Sequence, residues 1–224
     1  MYKYLLTGIS IIAIAAMVSC SSDNELIEQD FGFEYFPLEI GDFREYSVTE
    51  VNFLTVGPDT SRYFIREEIT DSVTNGGVVL FTLERSSRTL STDPWKVDSL
   101  WTARVDCFEA IQVENNIPIL KIQFPVADGK VWDSNLFNAL DSIGYTSFLI
   151  DSDTLDDQVL KVEVANLPQN LVGRDERNEF YARGIGLINR DFITLKFDTS
   201  NGVATNDIES GRVLMQKLIN YGKN

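Results

Sequence analysis

The 224-residue chain contains no histidine. That single absence removes Ser-His-Asp and Cys-His catalysis, histidine-ligated zinc and histidine pH switching. Cysteine is almost as scarce, with only Cys20 and Cys107. Positive charge is also short: 19 Lys and Arg stand against 34 Asp and Glu, a formal charge of −15. Such a chain repels nucleic acid and anionic head groups, so a polyphosphate-tracking surface is excluded as its main business. After the first twenty residues no apolar run of membrane length follows. Aromatics are abundant instead. Fourteen Phe, eight Tyr and three Trp are ample for a folded core.

Met1-Tyr2-Lys3 is a short basic start, and Leu5 to Val18 carries no charge. That run suits the apolar part of a secretion signal and is too short to span a bilayer comfortably. Met17-Val18-Ser19-Cys20, followed by polar Ser21-Ser22-Asp23-Asn24-Glu25, resembles the lipobox of bacterial lipoproteins. Ser19 suits the cleavage pocket, while Met17 stands where Leu is usual. The resemblance implies cleavage before Cys20 and acylation of its sulfur and its new amine. Two or three acyl chains then hold the protein in the outer membrane, where one chain, at about 0.8 kcal/mol per buried methylene, holds it only marginally. The expected organisation is a lipoprotein signal peptide over 1–19, an acidic polar tether over 20–34 and one β-rich domain over 35–224. The acids behind Cys20 also resemble an export signal of Bacteroidetes-type lipoproteins, which favours the cell surface over a periplasm-facing position. With Cys20 lipidated, Cys107 has no disulfide partner. It falls in phase with Val97, Trp101, Ala103 and Val105, so a buried, inert thiol is expected.

From Phe36 onward, short segments alternate with period two between turn residues, the pattern of strands with one wet face. Tyr63, Ile65 and Ile69 oppose Arg66 and Glu68. Val79, Phe81 and Leu83 follow Asn75-Gly76-Gly77, which suits a tight hairpin needing positive φ. Glu114-Asn115-Asn116 turns the chain into Leu120, Ile122 and Phe124. Leu160-Val162-Val164 and Ile193-Leu195-Phe197 repeat the pattern. Helix is scarce: Ser134 can cap a short one carrying Leu136, Phe137 and Leu140, and Val213 to Ile219 fits either a last strand or a short helix. The expected class is mainly β, a single strongly curved antiparallel sheet or half-barrel with at most one or two short helices.

A weak internal echo runs through the chain. Phe36-Pro37-Leu38-Glu39-Ile40-Gly41 and Phe124-Pro125-Val126-Ala127-Asp128-Gly129 share the spacing Phe-Pro-aliphatic-x-x-Gly. Each reads as a strand-entry corner pinned by a buried aromatic, Tyr46 or Phe43 in the first copy and Trp132 in the second. The two copies mark either a duplicated half-barrel or a chance likeness of two β corners. Together with Tyr181-Ala182-Arg183-Gly184-Ile185-Gly186-Leu187-Ile188, these motifs resemble envelope lipoproteins of the Bacteroidetes type over roughly residues 35–220. In that pattern a Trp commonly sits three residues after the first glycine, and here Arg44 takes the place. The resemblance implies a strongly curved sheet similar to the half-barrels of periplasmic lipoprotein carriers. It implies no reaction.

Candidate chemistry is thin. Asp151-Ser152-Asp153-Thr154-Leu155-Asp156-Asp157 fails as an EF-hand, since Leu155, Asp156 and Val162 occupy the fifth, sixth and twelfth places. It reads as a solvated hairpin tip, or as a looser calcium site on Asp151, Asp153 and Asp157. Gly184 and Gly186 read as a bulge or bend within a strand. Arg174, Arg177 and Arg183 form a basic cluster neutralised by Asp175, Glu176 and Glu179. Asp-Ser/Thr-aliphatic tripeptides, which resemble the O-glycan acceptors of Bacteroidetes-type envelope proteins, occur at Ser72, Ser99, Ser142 and Thr154. Ser99 shares the face of Trp101, leaving Ser72, Ser142 and Thr154 as candidates. No catalytic, cofactor or metal residue stands out. The expectation is a non-catalytic outer-membrane or surface lipoprotein that binds an apolar, glycan or protein ligand through the concave face of its sheet. Two alternatives stay open: an assembly subunit whose core is filled by its own aromatics, and a carboxylate-dependent hydrolase.

Overall fold

The computed structural model describes residues 30–152, 155, 157–199 and 207–224. Cys20, Asp153 and Thr154 lie outside them. The chain divides into Met1–Asp30 and Phe31–Asn224, and the second unit is the fold.

Twelve antiparallel strands make one sheet: β1 Asp42–Leu54, β2 Gly57–Asn75, β3 Val78–Arg88, β4 Lys96–Val105, β5 Glu109–Glu114, β6 Ile117–Gln123, β7 Val131–Asp133, β8 Gly144–Ile150, β9 Val159–Leu167, β10 Gly173–Ala182, β11 Gly186–Phe197 and β12 Ile208–Lys223. Each strand from β1 to β6 pairs with the next, as does each from β7 to β12, and β1 pairs with β12. The sheet is therefore an up-and-down barrel with one unsealed seam, between β6 and β7. The β1–β12 ladder runs from Asp42↔Lys223 to Phe53↔Gly211. At the seam a few bonds substitute for a ladder. The Leu120 N–H donates to Ser134 O at 2.9 Å, the Trp132 indole N–H to Leu120 O at 3.0 Å, and the Asn138 amide to Pro118 O at 2.8 Å.

The mainly β expectation holds, and the tight turns lie where the sequence puts them. Gly76 and Gly77 both have positive φ between paired Asn75 and Val78. Asn115 and Asn116 both adopt positive φ between Glu114 and Ile117. The two Phe-Pro corners occupy equivalent places, each just ahead of the first strand of a six-strand run, β1 or β7. Gly41 and Gly129 both carry positive φ, and Tyr46 and Trp132 are both buried.

Three local expectations are corrected and one ambiguity is resolved. No α-helix forms over 134–140, because polar side chains offer the backbone better partners: the Asp133 carboxylate accepts from the N–H groups of Asn135 and Ile143, and Asn135 donates to Asp141 O. The ambiguous Val213–Ile219 segment lies within β12. Gly184 lies in the β10–β11 turn and Gly186 opens β11, both with positive φ, so the bend they make stands at a strand end and not within a strand. Cys107 is exposed, not buried. Strand β4 ends at Val105, and Asp106 closes a turn by accepting from the Phe108 N–H at 3.1 Å, so the alternation that seemed to carry Cys107 inward has stopped.

The chain joins the fold at Phe31, inside the segment expected to be tether. Phe31 stacks on Phe33, Phe33 meets Phe124 edge-on, and the Val126 N–H donates to Phe31 O. The 3-10 turn Phe33–Tyr35 then buries Tyr35 completely, with its hydroxyl on Gln158 O at 3.0 Å. This segment laps one end of the barrel and ties the β6–β7 connection to β10 and β11.

Candidate functional site

The inner face of the sheet is filled. Leu83, Trp101, Leu120, Leu160, Tyr181 and Leu214, from strands all round the barrel, share one core cluster. At its centre lies a set of charges. Glu179 on β10 stands directly across the ladder from Arg190 on β11, and its Oε1 takes Arg190 Nη2 at 2.8 Å and Lys121 Nζ at 2.7 Å. The Tyr181 hydroxyl donates to its other oxygen at 2.5 Å. Glu114 adds a second, longer contact to Lys121 at 3.5 Å. Burial alone would raise the Glu179 pKa, but the two cations outweigh it and hold the carboxyl at about 2. Burial likewise disfavours charge on Lys121, and Glu179 with Glu114 overcomes it and raises its pKa. Tyr181 is pushed well up by burial and then by Glu179.

Lys121 reaches this centre because it is the extra residue of a β-bulge: Ala110 pairs with Ile122 and Ile111 with Leu120, leaving Lys121 unpaired between them. A bulge re-aims a side chain that simple alternation would send outward. Glu179 is likewise not part of the Arg174/Arg177/Arg183 surface cluster. There Arg174 pairs with Glu176, and Arg177 with Asp175 at 2.8 Å.

Glu114 and Glu179 converge, as a carboxylate enzyme would require, but in a packed interior. The hollow beside Lys121, Arg190 and Tyr181 is about 20 Å³, room for one water at most. A general acid needs a raised pKa and a path to substrate; Glu179 has neither. At this centre the concave side that was expected to bind is occupied by Tyr181, Lys121, Arg190 and their neighbours.

The large recess lies on the opposite face. Tyr46 and Val48 point into the core, so Ser47 and Thr49 between them point out; Met215 and Lys217 flank inward Gln216 on β12 in the same way. Together with Ile188 of β11 and Ile185 of the β10–β11 turn they bound a recess of about 620 Å³, within the range of small-molecule sites. Met215 and Tyr221 on its walls are more than half exposed. A second, smaller pocket of about 240 Å³ shares Ile185 and Tyr221 with it.

Two sequence motifs meet through the same strands. The Tyr46 hydroxyl donates to Leu187 O at 3.0 Å, and Arg44 Nη1 to Ile185 O at 3.3 Å. Nothing in the spacing of the first motif and the Tyr-Ala-Arg-Gly-Ile-Gly run announces that meeting. It follows from β11 and β1 flanking β12.

Of the candidate acceptors, Ser72 is half-buried in β2 with its N–H on the Asp71 carboxylate at 2.8 Å. Ser142 is exposed in the β7–β8 loop, where its hydroxyl bonds Asp133. Asp151 is held by the Gln158 amide at 3.1 Å, and no group of three or more metal-ligating side chains gathers among the described residues.

No protein-family model matches the chain, and no curated protein matches it. Among solved structures, a Bacteroides fragilis protein of YmcC-like fold is similar at 10% identity over 84% of this chain and 99% of that one, with a TM-score of 0.46.

Proposed function

We propose that this is a non-catalytic envelope lipoprotein, anchored in the outer membrane through Cys20, that works by binding at its outer recess rather than inside its barrel. The observation that carries the binding site is the contrast of volumes: about 20 Å³ within the barrel against about 620 Å³ outside it. An outward site suits a protein displayed at the cell surface, the side that the acids behind Cys20 favour. The barrel unit runs from Phe31, so residues 21–30 lie in the sequence between Cys20 and that domain. Ten residues reach about 35 Å at most when extended, enough to clear the head groups.

Native mass spectrometry of the purified protein tests the reading. A small molecule that co-purifies with wild type and is lost on Met215→Glu supports it. An empty protein associated only with other envelope proteins supports instead an assembly subunit, the reading that the filled core would also suit. For the anchor, Cys20→Ala should leave the chain unprocessed or release it from the membrane fraction. For orientation, protease added to intact cells should digest the domain while a periplasmic control survives.

A further inference from the structure

The two Phe-Pro corners place different side chains at one equivalent position. Three residues after Gly129 comes Trp132, buried, with its indole N–H satisfied by Leu120 O. Three residues after Gly41 comes Arg44, 8% exposed. Its Nη1 reaches one carbonyl, that of Ile185, and its Nε is buried without a partner. No carboxylate of the described residues comes within 4 Å. Glu67, opposite Arg44 in the β1–β2 ladder, lines the small inner hollow with it but has its ion pair with Arg85, at 3.6 Å. A guanidinium does not shed its proton, so this corner keeps a nearly buried charge with no counter-ion in contact.

The packing shows where a counter-ion would come from. A Cβ on Gly186 would stand 2.2 Å from Arg44 Nη1 and 3.3 Å from Pro37 Cδ. The guanidinium therefore lies against the Gly184-Ile185-Gly186 turn. Pro37, Gly184 and Ile185 are walls of the 240 Å³ pocket, and Arg44 is another. Asp42 is also a wall of this pocket, as is Lys223, whose charge it favours and which also holds Glu39. Ile185 and Tyr221 also line the larger recess, whose walls include Ile188, Met215 and Leu218.

We propose that the pocket and the recess together bind a small amphiphile with one anionic head group, a carboxylate or a phosphate. The head caps the Arg44 guanidinium, whose fork matches such oxygens, and the apolar tail lies along Ile188, Met215 and Leu218. The strong negative charge of the chain disfavours polyanions and leaves a guest with a single anionic head group as the fitting one. This assignment rests on the outer recess being the binding site.

The test is isothermal titration of the full chain in non-ionic micelles with octanoate, octyl phosphate, octanol and inorganic phosphate, with protein-free micelles correcting for uptake by detergent. Octanoate or octyl phosphate should bind at least about tenfold more tightly than octanol, and inorganic phosphate at least about tenfold more weakly than octyl phosphate. Arg44→Gln should bring the charged probes level with octanol. The ratio of octanoate to octyl phosphate then separates a fatty-acid-like source from a phospholipid-like one. Should Arg44→Gln fail to fold, Tyr221→Glu puts a carboxylate on the shared wall and should weaken octanoate more than octanol. Octanol binding as tightly as octanoate overturns the assignment; if Met215→Glu then abolishes both, the recess itself still stands. Inorganic phosphate binding as tightly as octyl phosphate also overturns it. If no probe binds, both the assignment and the outer recess fall.

Discussion

Arg44 and Trp132 occupy the same step of two equivalent corners, and they do opposite things. Trp132 is a finished piece of structure: its ring meets Tyr145 edge-on and its one donor is used. Arg44 is unfinished, with one carbonyl contact and an orphaned Nε. One backbone device thus serves closure at the β6–β7 seam, where the sheet needs sealing, and leaves a charge at the β1–β12 junction, which its own ladder already closes. Where the backbone does the closing, the side chain is free for something else.

The comparison can be broken most forcefully at Trp132. Trp132→Ala should cost about 3–5 kcal/mol, since a buried ring and a seam bond go together; the denaturant midpoint reads it. A loss of similar size is expected of Glu179→Gln, about 3–5 kcal/mol, because Lys121 and Arg190 are left buried with only the longer contacts to Glu114 at 3.5 and 4.0 Å. Replacing all three by apolar residues (Glu179→Leu, Lys121→Met and Arg190→Met) should restore most of that stability, and failure to do so would show that the charges specify the fold. Arg44→Met is the contrasting case. A charge without a counter-ion contributes little to the free protein, so the midpoint should move by no more than about 1 kcal/mol in either direction. A loss as large as that of Trp132→Ala would make Arg44 a structural residue.

Acid sharpens the distinction between paired and unpaired charge. The Glu179 pKa falls from 4.5 unfolded to about 2 folded, so its stabilisation is complete above pH 4.5 and drains away as the pH drops towards 2. Lys121 shifts the other way. Its stabilisation is complete below its ordinary pKa of 10.5 and is lost as the pH rises through the still higher folded value. Unfolding against pH should show a broad plateau between those limits, and Glu179→Gln should flatten its acid shoulder. The smallest effect is chemical: Cys107 in the β4–β5 turn should react with a maleimide in the folded protein as fast as an exposed thiol.

Much of the fold was legible, because turns and alternation are local. Asn75-Gly76-Gly77 and Glu114-Asn115-Asn116 announce their hairpins through the need for positive φ, and one-sided alternation announces the antiparallel sheet. The interior charges were not. Lys121 sits between Leu120 and Ile122 and reads as a solvent-facing residue, and only the bulge opposite Ala110 and Ile111 turns it inward. Glu179, among Arg177, Asn178 and Phe180, reads as surface charge until β11 brings Arg190 across from it. Cys107 misled for the reverse reason: its phase with Trp101 was real, but the strand had ended. The recess was hidden because it depends on β1 and β12, the two ends of the folded chain, lying side by side.

That adjacency also dictates when the site comes into being. As the chain is synthesised, β1 emerges early and its outer neighbour β12 last of all, so β1 waits as an open edge until the final segment, Ile208 to Lys223, arrives. A polypeptide cut short before Gly211 could form both runs of hairpins up to β11 and still lack Met215, Lys217 and Tyr221. Occupancy of the recess would then be a certificate of full-length synthesis, something that no ligand held within β1–β6 alone could report.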